Sequence, residues 1–101
     1  MYYNHLNAIM NAALIWDDWN KEHIAKHKVT VKEVEEAYKS KTIVKFSYLG
    51  RKLILGKTMR DRLLTIIVSF AKQQNPYVVS ARDISKKERR IYYEKQKEQT
   101  K

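Results

Sequence analysis

The sequence predicts an α+β domain: two N-terminal helices, an antiparallel sheet of four strands with room for a fifth, short N-terminal one, and a basic C-terminal helix. Three observations carry that prediction. Helix-start signals recur at Asp17 and Asp18, at Thr30 with Glu33, and at Ser85 with Glu88. Between the second and third, apolar residues leave helical spacing for β-branched and aromatic runs. The breaks between those runs are short, so consecutive strands pair as a meander.

Composition sets the outer limits. At 101 residues the chain is one domain, and a chain of that length buries about 65% of its unfolded surface, enough for a core. A hydrophobic fraction of 44% with only one Pro and two Gly excludes a disordered or linker-rich chain. Without cysteine there is no disulfide framework and no thiolate metal site, and a reducing cytoplasm suits the chain. No apolar run reaches the eighteen or so residues needed to cross a bilayer. The start, MYYNHLNAIMNAALIW, lacks the basic opening of a signal peptide; residues 1–12 read as a flexible leader, 13–98 as the domain and 99–101 as a tail.

Charge is unevenly placed. The net charge is +10, yet residues 1–40 carry five Lys against six acidic residues, whereas residues 41–101 carry sixteen Lys and Arg against five acids. The basic excess lies wholly in the second part. Such asymmetry points to an anionic partner, nucleic acid or an acidic protein. The competing reading is a Lys-rich surface that only keeps the chain soluble.

In chain order, the apolar run Ala13 to Trp16 precedes Asp17 or Asp18, either of which can cap a helix running to about His27. Asn20, His23 and His27 share one face at i, i+3 and i+7, with Trp19 and Ile24 turned toward the core. Thr30 and Glu33 open a second helix that buries Val31, Val34, Ala37 and Tyr38 and exposes Glu35, Glu36 and Lys39. Strands follow over residues 42–48, 51–58 and 63–70, the last reading LLTIIVSF, and Tyr77 opens a fourth. At Arg82 and Asp83 strand gives way to turn, and Ser85 and Glu88 open a helix carrying Lys86, Lys87, Arg89 and Arg90. Helices on both sides of the meander in sequence are expected to pack on one face of the sheet.

The segments WDDWNKEHIAKHKVTVKEVEEAY, GRKLILGKT with LLTIIV, and VVSARDISKKERRIYYE, in that order, resemble the BrnT family of bacterial type II toxins. The resemblance spans roughly Leu14 to Glu94, and its most specific pieces are the Ser-Ala-Arg strand end and the Lys-Lys-Glu-Arg-Arg-Ile-Tyr-Tyr helix. It implies a RelE/ParE-like fold, ribonuclease activity without a metal, translation inhibition, and neutralisation by a small DNA-binding antitoxin. The chain departs from the family at Tyr77, where an arginine is common, and at Lys28, where a glycine is.

A metal-free ribonuclease needs positive donors at the phosphoryl oxygens, a proton acceptor for the ribose 2′-OH and a proton donor for the leaving 5′-oxygen. The planar fork of an arginine suits the first task, and Arg82, beside the basic helix, is the candidate. Its structural rival is a clamp onto Asp83 or Glu88. Tyr92 is the candidate for base stacking or proton transfer, with a core aromatic as its equal rival. Glu88 reads as a cap rather than a base. His27 can serve as acid or base, although a histidine closing a helix is also favoured by the dipole alone. Arg51, Lys57, Arg60, Arg62, Lys86, Arg89 and Arg90 are the candidate RNA-backbone contacts. His23 and His27 make half of a zinc site with no third ligand, so no metal and no cofactor is expected. The alternative function is a non-catalytic module that binds RNA or an acidic partner. The free protein is expected to be a monomer.

Overall fold

The computed structural model describes residues 12–41, 43–46, 50–71 and 73–99. Among them lie three helices and four strands in the order α1 (Asp18–Ala25), α2 (Val31–Lys39), β1 (Ile43–Phe46), β2 (Arg51–Lys57), β3 (Leu63–Ser69), β4 (Tyr77–Asp83) and α3 (Lys86–Gln99). The class is α+β, as the sequence predicts. Residues 1–11 of the expected leader, residues 42 and 47–48 of the first expected strand, and the last two residues of the tail lie outside the described residues.

All three helix-start signals form. Asp17 accepts the Asn20 backbone N–H at 2.9 Å while the Asn20 side chain accepts the Asp17 N–H, so α1 begins with a capping box. Thr30 and Glu33 do the same for α2, and Ser85 and Glu88 for α3. After α1 the chain turns through Lys28 at φ 59°, a left-handed conformation that ordinarily favours glycine.

The sheet is an antiparallel meander in the order β1-β2-β3-β4. Its two faces bury separate clusters. Val44, Ile54, Leu64, Ile66, Val68, Val78 and Ala81 pack with Ile24 of α1 and with Val34, Ala37 and Tyr38 of α2. Ile43, Leu55 and Leu63, their neighbours in sequence, point the other way and pack with Ile84 and with Tyr92 of α3. Consecutive strand residues face opposite sides, so α3 lies across the sheet from α1 and α2. This corrects the expectation of helices on one face, and it explains why LLTIIV reads as an unbroken apolar run: much of the strand is covered on both sides. The approach of α2 to β2 is close enough to require Gly56, where a Cβ would overlap the Ala37 carbonyl.

Three further differences have plain causes. Arg82 and Asp83 remain in the strand, paired with Thr65 and Leu64, so the turn begins at Ile84. The fifth strand reduces, among the described residues, to one parallel bridge between Ile15 and Tyr77. Asn20 and Trp19 exchange their expected environments. Asn20 is fully buried, because its amide donates to the carbonyls of Ile15 and Val78 at 3.0 Å each while its oxygen closes the α1 cap. Trp19 is 56% exposed and stacks on His23.

Candidate nucleic-acid interface

The junction of β4 with α3 is built from strand alternation and a helix cap. Arg82 stands in a cross-strand row with Thr65, Leu55 and Ile43, which places it on the α3 face. The Ser85 cap sets the first turn of α3 so that Glu88 returns over that row. Arg82 Nη1 and Nη2 donate to the two Glu88 oxygens at 2.9 and 3.0 Å, a bidentate pair. Glu88 Oε1 also accepts the Thr65 hydroxyl at 2.8 Å and the Ser85 N–H at 2.9 Å. Burial pushes the Glu88 carboxyl up, but the hydrogen bonds from Arg82, Ser85 and Thr65 outweigh it and hold the group at about 2. A carboxylate that acidic is a poor acceptor for a ribose proton. The same contact raises Arg82 above the usual arginine value.

The Arg82 side chain is 36% exposed and that of Glu88 only 16%. Glu88 therefore fixes the direction of the Arg82 fork and neutralises part of its charge at the surface. The clamp onto Glu88 exists in the structure, and a phosphate can use the fork by displacing the carboxylate.

Arg62 belongs to a different construction. Its Nε donates to Asp83 at 2.7 Å, and its Nη1 donates to the Lys28 carbonyl at 2.9 Å and to Glu33 at 3.1 Å. The β2–β3 hairpin, the α1–α2 loop, the start of α2 and the end of β4 are tied through this one guanidinium. Its hydrogen bonds with Asp83 and Glu33 raise Arg62, and the Arg62 contact lowers Asp83. Arg62 reads as a structural hub more than as a surface for RNA.

The other candidates divide clearly. Arg51, Arg60, Lys86, Arg89 and Arg90 are exposed, and none enters the three ion pairs found among the described residues. Lys57 is half-buried, with Nζ 5.9 Å from the centre of the Tyr92 ring. Tyr92 is 3% exposed and packs among Ile43, Leu55, Leu63 and Ile84, the core reading of that residue. Tyr93 is the exposed aromatic of the pair and meets Tyr92 edge to face. His27 is exposed beyond α1, its ring 5.7 Å from that of His23. His27 precedes Lys28, whose carbonyl Arg62 ties to Asp83, and its ring contact is with His23 rather than with the Arg82–Glu88 pair.

Sequence reasoning missed Thr65, the third member of the Glu88 cluster, because strand pairing alone brings it beside Arg82. It also missed the shallow pocket of about 180 Å³ lined by Ile43, Lys45, Leu53, Leu55, Lys87 and Ile91 alongside Ser85 and Glu88. Alternation in β1 and β2 was the available signal, since Lys45 and Leu53 are register partners on the α3 face. No group of three or more acidic or histidine side chains placed to hold a metal occurs among the described residues, and no helix there is long and apolar enough to cross a membrane. No protein-family model, curated protein or solved structure matches the chain.

Proposed function

We propose that this chain acts on RNA as a metal-independent endoribonuclease toxin of the BrnT type, with a RelE/ParE-like arrangement, and that a small DNA-binding antitoxin restrains it by covering the basic face. The observation that carries the reading is the β4–α3 junction, where an oriented bidentate arginine at a strand end is followed directly by the exposed cations Lys86, Lys87, Arg89 and Arg90. The helix cations attract the polyanion and set its position, and Arg82 polarises one phosphate after exchanging Glu88 for it. Charge stabilisation at the phosphoryl oxygens then supplies most of the acceleration. Tyr92 is too deeply packed to stack on a base, and Glu88 too acidic to take the 2′-OH proton.

Those last two facts favour a second reading, in which the same face binds RNA without cutting it. Incubating the purified protein with single-stranded RNA in excess EDTA distinguishes the two. Cleavage by the wild type, reduced about 100-fold in Arg82→Ala, is the expected result. Intact RNA that is nevertheless bound with strong salt dependence establishes the second reading. Arrest of growth on expression, relieved by a small co-expressed antitoxin, tests the biological role.

A further inference from the structure

At the end of the sheet away from the Arg82–Glu88 pair, Arg51 opens β2, Ser69 closes β3 and Tyr77 opens β4, and the three are register partners in one row. Together with Trp19, Ala71, Gln73 and Val79 they line a depression of about 500 Å³, within the size range of small-ligand pockets. Trp19 lies on His23 with ring centres 4.8 Å apart and planes within 8°, which fixes the indole as a flat wall. Tyr77 is held by donating its hydroxyl to Asp17 at 2.9 Å. The Gln73 amide is held by donating to the Ser69 carbonyl at 2.7 Å. Arg51, exposed, is the cation of the rim. The Asp17 carboxylate nearby is already engaged by the α1 cap and by Tyr77, and Asp18 and Glu22 are exposed on the same helix as Trp19.

Two rigid aromatic side chains with an adjoining arginine make the chemistry that receives a nucleobase and its phosphate: π-faces stack on any base, and the guanidinium meets the backbone. The row between this depression and Arg82 contains Leu53, Ile67 and Ser80, all only partly buried. Along β3, Ser69 and Thr65 are four residues apart, about 13 Å of strand, so a few nucleotides of single strand bridge the two places. We propose that the Trp19–Tyr77 depression is a base-stacking subsite for single-stranded RNA whose backbone runs across the open part of the sheet to Arg82. The subsite rests on the RNA reading above, whether or not the RNA is cut. A protein side chain seated in the same depression is the rival, and the cationic rim and the net charge of the second part of the chain favour RNA over it.

The test uses a fluorescein-labelled, 2′-O-methylated oligouridylate, which has no 2′-OH to react, and an abasic oligomer of equal length, both titrated by anisotropy over a salt series. Trp19 is exposed, so its replacement leaves the fold intact. Trp19→Ala is expected to bind the oligouridylate about 5- to 150-fold more weakly with the salt slope unchanged, since a stacked base contributes about 1–3 kcal/mol and no phosphate contact is removed. Trp19→Phe retains most of the affinity, and the wild type binds the abasic oligomer as weakly as Trp19→Ala binds the full one. Equal binding of the oligouridylate by wild type and Trp19→Ala, with no penalty for the abasic oligomer, overturns the subsite and leaves the RNA reading standing. Absence of any binding at low salt removes that reading and the subsite together. RNA affinity unchanged by Trp19→Ala, with loss of a self-association seen in sedimentation of the wild type, assigns the depression to a protein contact and likewise overturns the proposal.

Discussion

Replacing Glu88 by Gln tests the electrostatics of the β4–α3 junction. Glutamine keeps the shape of the side chain and an oxygen that can accept from Thr65 and Ser85, but it gives up the charge that faces Arg82. The Glu88 carboxyl sits at about 2 in the folded protein against its ordinary 4.5. At 1.36 kcal/mol per pH unit that difference corresponds to about 3 kcal/mol above pH 5, and to about 2 kcal/mol once solvent screening of a junction near the surface is discounted. The folded value is depressed, so the contribution is complete above the unfolded value near 4.5 and disappears as pH falls toward 2. Asp17, Glu33 and Asp83, all lowered in the folded chain, lose stability in the same direction as acid is added. Urea unfolding followed by tryptophan fluorescence at pH 7, 5, 4 and 3 is expected to show Glu88→Gln about 2 kcal/mol less stable at pH 7, with the difference shrinking steadily below pH 4.5. A difference that is absent at pH 7, or that stays constant down to pH 3, refutes the assignment of that energy to the charged pair.

The same variant predicts a functional effect: with the carboxylate gone, Arg82 no longer has to be released, so Glu88→Gln binds single-stranded RNA at least as tightly as the wild type when measured by anisotropy at neutral pH. Gly56→Ala forces a methyl group into the Ala37 carbonyl and is expected to cost about 3 kcal/mol or to prevent folding, read from the urea midpoint or from loss of soluble protein. Lys28→Gly relieves a left-handed backbone at φ 59° and is expected to stabilise by about 0.5–1 kcal/mol, a rise in Tm of about 3–6 °C by calorimetry. Arg62→Ala unties Lys28, Glu33 and Asp83 and is expected to cost about 2 kcal/mol in urea, most of it from Glu33 and the Lys28 carbonyl because Asp83 is largely exposed.

Elements whose cause is local were legible in the sequence. The capping boxes at Thr30 and Ser85 and the short breaks between β-branched runs depend on residues within a few positions of one another, and the helices and strands form where those signals stand. What depends on the far side of the sheet was not legible. The choice between one-sided and two-sided packing turns on Ile43, Leu55 and Leu63 having a helix above them, and an apolar run reads the same in either case. Asn20 was misplaced for a related reason: its polarity suggests solvent, but the carbonyl of Val78, 58 residues away in the sequence, accepts from its amide in the core beside that of the nearby Ile15. Once Asn20 and Ile24 turn inward, Trp19 and His23 are carried outward on the same helix.

The candidate site shows the same limit in its charges. A count of lysines and arginines treats Arg62, Arg82 and Arg89 alike, yet the fold gives them different work. Arg62 is consumed by three partners, whereas Arg82 donates to the Asp83 carbonyl and to the Glu88 carboxylate, the partner that a phosphate would displace in the proposed function. Arg89 stands exposed in the first turns of α3 with Lys86, Lys87 and Arg90. Exposed cations act over a Debye length of about 8 Å at physiological salt and so govern encounter and salt dependence. An arginine already paired contributes little at that range. Its contribution comes at contact, where exchanging one bidentate anion for another selects a phosphate presented in the right plane. On the proposed RNA reading, affinity should therefore follow α3 and the strand-end cations, while discrimination and any chemistry should follow Arg82, and substitutions in the two groups should separate the salt slope from the specificity.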